Sequence, residues 1–316
     1  MAEEKKILYI VEAMGGGVFT YIVDLANELV NSYDMYIAYA VRKQTPENYK
    51  PMKRRMFKVI ESVCAKRNCT TISCSVGEHQ ESLKLTRRAT YVNNGINMAE
   101  LQEIIDKTEK VEHSFTVYTL GRICYQKNPT LFNKIAESLP DVKFVWIGDG
   151  ELRDQLTSEN IEITGWADRS TAIRYAVNAD VFLLPSRWEG LPISLLESMY
   201  MKKACVVSNV IGNRDVIHNG ENGFVCTKVE DLVKAIEECQ GEVEKLTEHA
   251  YQDILKMYNT KVMAQMYSKK YENALNERGG GVQHDLIRFI AVVRPYTLAY
   301  SVSIEPDNYG TAKAVA

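Results

Sequence analysis

Residues 180–199 read DVFLLPSRWEGLPISLLESM, in which an apolar run leads through a short polar loop into a helical pattern. The apolar run ends at Pro185 and predicts a buried strand of a parallel sheet. Pro192 stands where a first helical residue is favoured, because its missing N–H costs nothing there. The helix therefore begins at the carboxyl edge of the sheet. Its free N–H groups, from Leu191 and Ile193 onward, predict an anion site that suits a diphosphate.

The alternation of strand-like and helical patterns continues along the chain and is typical of βαβ units. Near the N-terminus, residues 7–11 and 35–41 are strand-like, and a helix that follows Gly15-Gly16-Gly17 lies between them. Further strand-like runs are residues 116–120, 143–147, 161–164, 181–184, 204–208 and 223–226, with helical patterns from there to about residue 275. We predict an α/β fold with two Rossmann-like doubly wound domains, the N-terminal one shortened.

The turn-rich residues 93–97 predict the boundary between the two domains. Residues 1–94 hold only about three or four βα repeats and predict an incomplete domain, whereas residues 95–275 predict a complete one. Residues 276–316 are a tail of unknown role. Within this tail, residues 296–304 alternate with period two, which favours a half-exposed strand.

Composition and charge exclude several classes of protein. The 316 residues carry 38 Lys and Arg against 41 Asp and Glu, and the net charge of −3 argues against a protein that coats nucleic acid. Seven cysteines without a CxxC pair predict reduced thiols, and we find neither a signal peptide nor an apolar run long enough to span a bilayer. We therefore expect a cytoplasmic location. Five histidines without paired spacing, and no D-x-D at a strand end, predict that no metal is required.

Glu189 and Glu197 are the candidate functional carboxylates of residues 180–199. Glu197 falls about one turn into the helix among apolar residues, where an unpaired carboxylate is costly. Ribose hydroxyls would suit Glu197 and sugar hydroxyls would suit Glu189, because hydroxyls donate to carboxylates. The residues alone leave a second interpretation open, in which Glu189 is solvated and Glu197 pairs with a neighbouring Arg or Lys.

The spacing of Glu189 and Glu197 resembles the E-x7-E signature of the family 4 retaining glycosyltransferases of the bacterial capsule and lipopolysaccharide type, which have the GT-B fold. Other motifs stand in the family's order: Gly15-Gly16-Gly17, Asn94-Gly95-Ile96-Asn97, Gly121-Arg122 with Lys127, Gly148-Asp149-Gly150, Thr164-Gly165-Trp166 and Asn222-Gly223. The chain also departs from the family. It has no counterpart of the usual histidine-bearing loop on the acceptor side, and Lys202-Lys203 replaces a small residue after the helix that carries Glu197.

The resemblance implies a role for each matching residue. Residues 1–94 would be the acceptor-side domain and residues 95–275 the nucleotide-sugar donor domain. Glu189, Arg122 and Lys127 would be catalytic, and the two basic residues would neutralise the diphosphate. Taken alone, each basic residue could equally form a surface ion pair, but their order relative to the glutamates favours contact with the diphosphate. The donor site would comprise Gly16, Gly17, Arg122, Lys127, Glu189, Gly190, Leu191, Pro192, Ile193 and Glu197.

The resemblance also implies the reaction and the partners. The expected reaction is retaining transfer of a hexosyl or N-acetylhexosaminyl group from a nucleoside-diphosphate sugar, with UDP as the expected nucleotide and no cofactor. The expected acceptor is a glycan or polyprenyl-linked glycan, and no nucleic acid is involved. The basic residues 53–60 either touch an anionic membrane surface at the periphery or form a solvated helix face.

Two other function classes remain for comparison. Because the first domain is short, the chain could be a nucleotide-sugar-binding module without transferase activity. An NAD-dependent oxidoreductase is disfavoured, since the glycine-rich turn lacks the G-x-G-x-x-G fingerprint.

Overall fold

The computed structural model describes residues 6–11, 16–39 and 70–276. Its strands are β1 (Lys6–Val11), β2 (Asp34–Tyr39), β3 (Thr71–Ser73), β4 (Ala89–Tyr91), β5 (Thr116–Leu120), β6 (Lys143–Ile147), β7 (Ile161–Ile163), β8 (Val181–Leu184), β9 (Ala204–Ser208) and β10 (Phe224–Cys226). Its helices are α1 (Gly16–Leu29), α2 (Val76–Leu83), α3 (Met98–Asp106), α4 (Pro129–Ser138), α5 (Arg169–Val177), α6 (Ile193–Tyr200), α7 (Asn213–Val216), α8 (Val229–Glu238), α9 (Glu244–Met257) and α10 (Thr260–Asn276).

Six parallel strands form the main sheet, in the order β10-β9-β8-β5-β6-β7. The chain runs outward from β5 to β7, returns to place β8 beside β5, and then runs outward on the other side. Val117 of β5 pairs with Val181 of β8 at this reversal. The prediction of a doubly wound sheet is confirmed, and in such sheets ligands bind outside the carboxyl ends of the strands where the order reverses.

Helices cover both faces of the main sheet, because its strands are apolar on both sides. Successive side chains of a strand point to opposite faces. Accordingly, Phe182 and Leu184 of β8 belong to one buried cluster, which includes α6. Val181 and Leu183 belong to the cluster on the other face, which includes α4 and α8.

The start of α6 lies one residue later than the sequence suggests. Pro192 is the N-cap, with φ −73° and ψ 123°, and Ile193 is the first helical residue. The prediction that Pro192 is itself the first helical residue is therefore wrong by one position. Both positions suit proline, since neither needs its N–H for a helical hydrogen bond.

Lys202 and Lys203, the departure from the family pattern, have structural contacts after α6. Lys202 adopts φ +55°, and its Nζ pairs with Glu248 at 2.6 Å. Lys203 Nζ donates to the carbonyl oxygens of Val177 at 2.8 Å and Ala179 at 2.6 Å. These carbonyls lie at and just beyond the end of α5, where helical carbonyls have no intrahelical donor. Lys203 therefore caps a neighbouring helix.

Helix α1, in the first part of the chain, packs against α10. β1 pairs in parallel with β2, and β3 pairs in parallel with β4, as two separate two-stranded sheets. Tyr21 and Leu25 of α1 pack with Tyr267 and Tyr271 of α10 in a buried cluster, in which the Tyr21 hydroxyl donates to the Tyr267 hydroxyl. Helix α10 thus completes the core around α1. The predicted domain boundaries at residues 94 and 275 stay predictions.

The motif Asn94-Gly95-Ile96-Asn97 contacts a second segment of the chain. Ile96 N–H donates to Tyr258 C=O at 3.0 Å, and Thr260 N–H donates to Ile96 C=O at 3.1 Å. A Cβ atom on Gly95 would lie 2.3 Å from the backbone carbonyl of Asn259. Only glycine allows so close an approach of two backbones.

Several sequence predictions concern residues outside the described ranges. These are the Gly15 position, the basic residues 53–60, and the tail after Asn276 with its predicted strand. No disulfide bond joins any of the five cysteines within the described ranges. Among the helices that the structure describes, none is long and apolar enough to cross a membrane.

Asp24 of α1 is a buried acid in an unfavourable environment. It is 6% exposed. Burial raises the pKa of Asp24 to about 6, and the negative charges of Glu100, Glu197 and Glu28 add to this, while Arg169 acts in the opposite direction. The folded state therefore binds a proton that the unfolded state releases at lower pH.

Replacing Gly95 tests the close contact at the junction. Gly95→Ala should lower the free energy of unfolding by about 1–3 kcal/mol, because the added methyl group meets backbone atoms. Urea denaturation measures this. Gly241→Ala is the matched control, since the nearest atom to its Cβ would be 3.4 Å away. Equal stability of the two variants would contradict the assigned contact.

Replacing Asp24 tests its raised pKa. The unfavourable contribution of Asp24 is absent below its unfolded pKa of about 4 and is complete above its folded value near 6. Asp24→Asn should therefore be more stable than the parent at pH 7.5, by up to about 3 kcal/mol, and the gain should vanish near pH 4. Thermal melts across this range, with exposed Asp154→Asn as control, measure it. A less stable variant at pH 7.5 would contradict the prediction.

Candidate active site

The candidate site forms where β5 and β8 end side by side. The loop after β5 carries Lys127, and the loop after β8 carries Glu189. Because the two strands are parallel neighbours, both loops leave the sheet at the same edge. Lys127 Nζ and Glu189 Oε1 are 2.8 Å apart. The structure therefore brings together two of the three residues predicted to be catalytic.

Glu189 is buried rather than solvated. It is 5% exposed, and the Lys127 side chain is 17% exposed. Ser186 Oγ donates to its Oε1 at 2.6 Å, and Gln126 Nε2 donates to its Oε2 at 3.2 Å. A buried carboxylate requires such compensation. The open alternative that Glu189 is solvated is thus wrong.

The two loops that carry Lys127 and Glu189 are also joined through their backbones. Arg187 N–H donates to Gln126 C=O at 2.8 Å, and Gln126 Nε2 donates to Trp188 C=O at 3.0 Å. The Arg187 guanidinium lies 4.4 Å from the centre of the Tyr125 ring. These contacts fix the position of Lys127 relative to Glu189 through several bonds besides their own ion pair.

The backbone around Gly190 is closely packed on one side. Gly212, at φ +85°, approaches so closely that its Cβ would lie 2.2 Å from the Gly190 carbonyl oxygen. Asn94 Nδ2 donates to Leu191 C=O at 2.7 Å. In α6 the N–H groups of Leu195 and Leu196 donate to Pro192 C=O at 3.2 and 3.3 Å, whereas those of Ile193 and Ser194 have no acceptor within the helix and can serve as donors to a ligand.

Glu78, which is not among the residues predicted from the sequence, also lies at this site. A Cβ on Gly190 would lie 3.0 Å from Glu78 Oε1 and 3.0 Å from Cys74 Sγ. Cys74 donates to Glu78 Oε2 from its thiol at 3.0 Å and from its N–H at 3.3 Å. Burial raises the pKa of both groups. The pattern Ser75-x-x-Glu78 is the available signal, because it predicts a capped helix start, and Ser75 Oγ accepts from Glu78 N–H.

Glu197 lies in the second turn of α6 and is 3% exposed. Its Oε1 accepts a hydrogen bond from Arg169 Nη1, and Arg169 Nε donates to Glu100 Oε1 at 3.0 Å. Burial raises the pKa of Glu197, and the Arg169 charge opposes this rise. The alternative interpretation, in which Glu197 pairs with an Arg or Lys, is thus correct for this structure. The predicted contact of Glu197 with a ribose stays a prediction.

Arg122, the third residue predicted to be catalytic, makes a surface ion pair. Its Nε and Nη2 lie 3.0 and 2.9 Å from Glu151 Oε2, and its side chain is 55% exposed. Gly16 and Gly17 lie in the first turn of α1 rather than in a loop. The predicted contacts of Arg122, Gly16 and Gly17 with a diphosphate stay predictions.

The remaining glycine motifs shape the carboxyl edge of the sheet. Gly148 adopts φ +141°, and its Cβ would lie 2.2 Å from the carbonyl oxygen of Gly121. Its N–H donates to Thr164 Oγ1 at 3.1 Å. Trp166, after Gly165, is 83% exposed. In the described part of the chain, no three His, Cys, Asp or Glu side chains are grouped as a metal site would require.

Part of the chain is similar to a known family of proteins. Residues 101–253 match the model described as glycosyl transferases group 1. A UDP-Gal:alpha-D-GlcNAc-diphosphoundecaprenol alpha-1,3-galactosyltransferase of Escherichia coli is 32% identical over 200 residues, covering 54% of this chain and 50% of that protein. An N,N'-diacetylbacillosaminyl-diphospho-undecaprenol alpha-1,3-N-acetylgalactosaminyltransferase of Campylobacter jejuni is 30% identical over 188 residues, covering 56% and 50%. The chain spans about half the length of these curated relatives.

Solved structures show the same fold. HepE of Anabaena, in complex with UDP and glucose, superposes with a TM-score of 0.66 at 12% identity over 85% of this chain and 100% of that chain. Sucrose-phosphate synthase from Thermosynechococcus elongatus gives 0.70 at 12% identity over 87% and 100%. These likenesses confirm the predicted GT-B fold. Residues 101–253 match the group 1 family of glycosyl transferases, in agreement with the E-x7-E resemblance.

Proposed function

We propose that the chain is a retaining glycosyltransferase that moves a sugar from a UDP-sugar to a glycan or polyprenyl-linked glycan during the synthesis of a surface polysaccharide. The observation that carries this proposal is the buried ion pair of Lys127 and Glu189, where the strand order reverses beside the start of α6. The two curated relatives are named as acting on undecaprenol-diphosphate-linked acceptors, and the HepE structure contains UDP, which supports the same substrate classes here.

The basic groups at the sheet edge suit a departing diphosphate. As the bond from the anomeric carbon to the phosphate oxygen breaks, negative charge accumulates on the diphosphate. Lys127 and the N–H groups at the start of α6 would stabilise this charge. Arg122 would join them by leaving Glu151, because an ion pair this exposed contributes little to stability. Stabilisation that grows as the bond breaks accelerates the reaction.

Glu189 would hold the donor sugar rather than attack it. Its carboxylate, oriented by Ser186 and Gln126, would accept hydrogen bonds from sugar hydroxyls. The acceptor hydroxyl would form the new bond on the face that the diphosphate leaves, and its proton would pass to the departing phosphate oxygen. The configuration at the anomeric carbon is then retained without a covalent enzyme intermediate.

The rest of the donor would lie along α6 and across the cleft. Glu197, further along the helix than the anion site, would accept hydrogen bonds from the ribose. The N–H groups of Gly16 and Gly17, at the start of α1, would approach the phosphates from the other side. The membrane contact through residues 53–60 belongs to the same proposal, because a polyprenyl-linked acceptor resides in a bilayer.

The Glu189→Gln variant tests the proposal directly. Incubation with a panel of UDP-sugars and undecaprenyl-diphosphate-linked acceptors should yield a glycosylated lipid, detected by chromatography of the radiolabelled sugar. Glu189→Gln should reduce kcat by about 100- to 1,000-fold, because its amide leaves Lys127 without a counter-charge and holds the sugar less firmly. Glu162→Gln is the control, since Glu162 pairs with Lys143 on the surface at 2.8 Å. Thermal melts establish that both variants fold.

The same experiment distinguishes the other function classes. Product with inverted anomeric configuration by NMR would overturn the retaining mechanism. UDP-sugar binding in calorimetry, without turnover of any acceptor in the panel, would favour a binding module without transferase activity. Full activity of Glu189→Gln would show that Glu189 has been assigned the wrong role.

Removal of divalent metal tests how the diphosphate is neutralised. If Lys127, Arg122 and the start of α6 supply the positive charge, excess EDTA should change the transfer rate by less than about twofold. The rate is measured as UDP release before and after chelation and after addition of Mg²⁺ or Mn²⁺. Loss of activity with EDTA, restored by one of these ions, would mean that a metal shares this task.

A further inference from the structure

Arg169 lies between two carboxylates from different helices. It is the first residue of α5, directly after the N-cap Asp168. Its Nε donates to Glu100 of α3 at 3.0 Å, and its Nη1 donates to Glu197 of α6. Because the guanidinium is planar and rigid, two such contacts fix its orientation. Glu197 therefore has a partner whose own position is fixed from outside α6.

The contact with Arg169 uses only one oxygen of Glu197. The hydrogen bond from Arg169 goes to Oε1 of Glu197, so Arg169 leaves the lone pairs of Oε2 available for a second donor. Glu197 is four residues after Ile193, which places it about 6 Å along the axis from the start of α6. A hydroxyl group next to a phosphate bound at the helix start could thus reach Oε2.

The third guanidinium nitrogen indicates that this cluster is incomplete without a ligand. Arg169 Nη2 is buried and has no hydrogen-bond partner in the described part of the chain. A buried donor without an acceptor is costly, which favours a state in which a bound molecule completes the polar contacts. The arginine also opposes the rise in the pKa of Glu197 that burial causes.

We propose that Arg169 is a positioning residue for ribose recognition: it holds Glu197 through Oε1, with Glu100 as its anchor, and presents Oε2 to the ribose hydroxyls of the donor nucleotide. This inference rests on the proposed function, since it requires a nucleoside diphosphate at the start of α6. Hydroxyl donors to a carboxylate form strong, charge-assisted hydrogen bonds, so the orientation and ionisation of Glu197 determine how well the ribose is distinguished from a deoxyribose.

Calorimetric titration with UDP and with 2′,3′-dideoxy-UDP tests the inference. The parent should prefer UDP by about tenfold or more, because the dideoxy analogue leaves Oε2 unpaired. In Arg169→Gln the preference should fall to about twofold, and in Glu100→Gln to an intermediate value, since Glu100 anchors the arginine. Arg174→Gln, on the exposed side of the same helix, should keep the parental preference.

A pH series adds a readout that a merely structural role would not change. In Arg169→Gln, the remaining preference for UDP should disappear at a higher pH than in the parent, because Glu197, left with the negative charges of Glu100 and Asp24 and without its cation, takes up a proton more readily. Arg169→Lys keeps the positive charge but loses the guanidinium geometry that contacts both carboxylates. Its preference for UDP over the dideoxy analogue should stay reduced, but that preference should disappear at the same pH as in the parent. Arg169→Lys also carries the test if Arg169→Gln fails to fold.

The outcomes separate this inference from the function on which it rests. If the parent binds no nucleoside diphosphate, the proposed function itself fails. If the parent binds UDP and its dideoxy analogue equally, or if Arg169→Gln keeps the parental preference, the positioning role is overturned while the transferase proposal stands. Tighter UDP binding by Arg169→Gln would also overturn it, since Arg169 would then obstruct Glu197.

Discussion

The ion pair of Lys127 and Glu189 is the interaction on which the candidate site depends. A carboxylate that is only 5% exposed is tolerable only with a cation and further hydrogen bonds close by. The cation lies 62 residues away in sequence and arrives because the chain returns to place β8 beside β5. The order of the strands in the sheet therefore brings together the two charges that make this buried site neutral.

Both carboxylates of the E-x7-E pattern are compensated within the protein, but by different elements. Glu189 is paired from the loop after β5, whereas Glu197 is paired from the start of α5. The Lys127–Glu189 pair is neutral as a unit, and the single positive charge of Arg169 is shared between Glu197 and Glu100. A bound diphosphate must therefore find its positive charge in the helix start, in Arg122, and in a Lys127 that it shares with Glu189. The diphosphate and Glu189 compete for Lys127. Lys127 would therefore stabilise the diphosphate most strongly when negative charge accumulates on it as it departs, and stabilisation of this kind accelerates the reaction.

Features that depend on local patterns were predictable from the sequence. The bounds of β5, β6, β8 and β9 coincide with the predicted apolar runs, because fully buried strands are continuous in hydrophobicity. The start of α6 was predicted within one residue. Partners that depend on tertiary contacts were not predictable: no periodicity indicates that Arg169 would meet Glu197 or that Asn94 would meet Leu191. Glu78 was predictable in part. Its capping pattern is local and visible in the sequence, but its approach to Gly190 depends on the whole fold.

Two segments that are distant in sequence also constrain the loop before α6. Residues 94–97 and residues 258–260 are hydrogen-bonded to each other through Ile96. Asn94 extends this unit to the Leu191 carbonyl, and Thr260 extends it to Glu28 of α1 at 2.6 Å. A single series of contacts thus joins α1 to the start of α6. A movement of α1 relative to the main sheet would act on both segments together, and through Asn94 it would act on the backbone before α6, where the proposed diphosphate site lies.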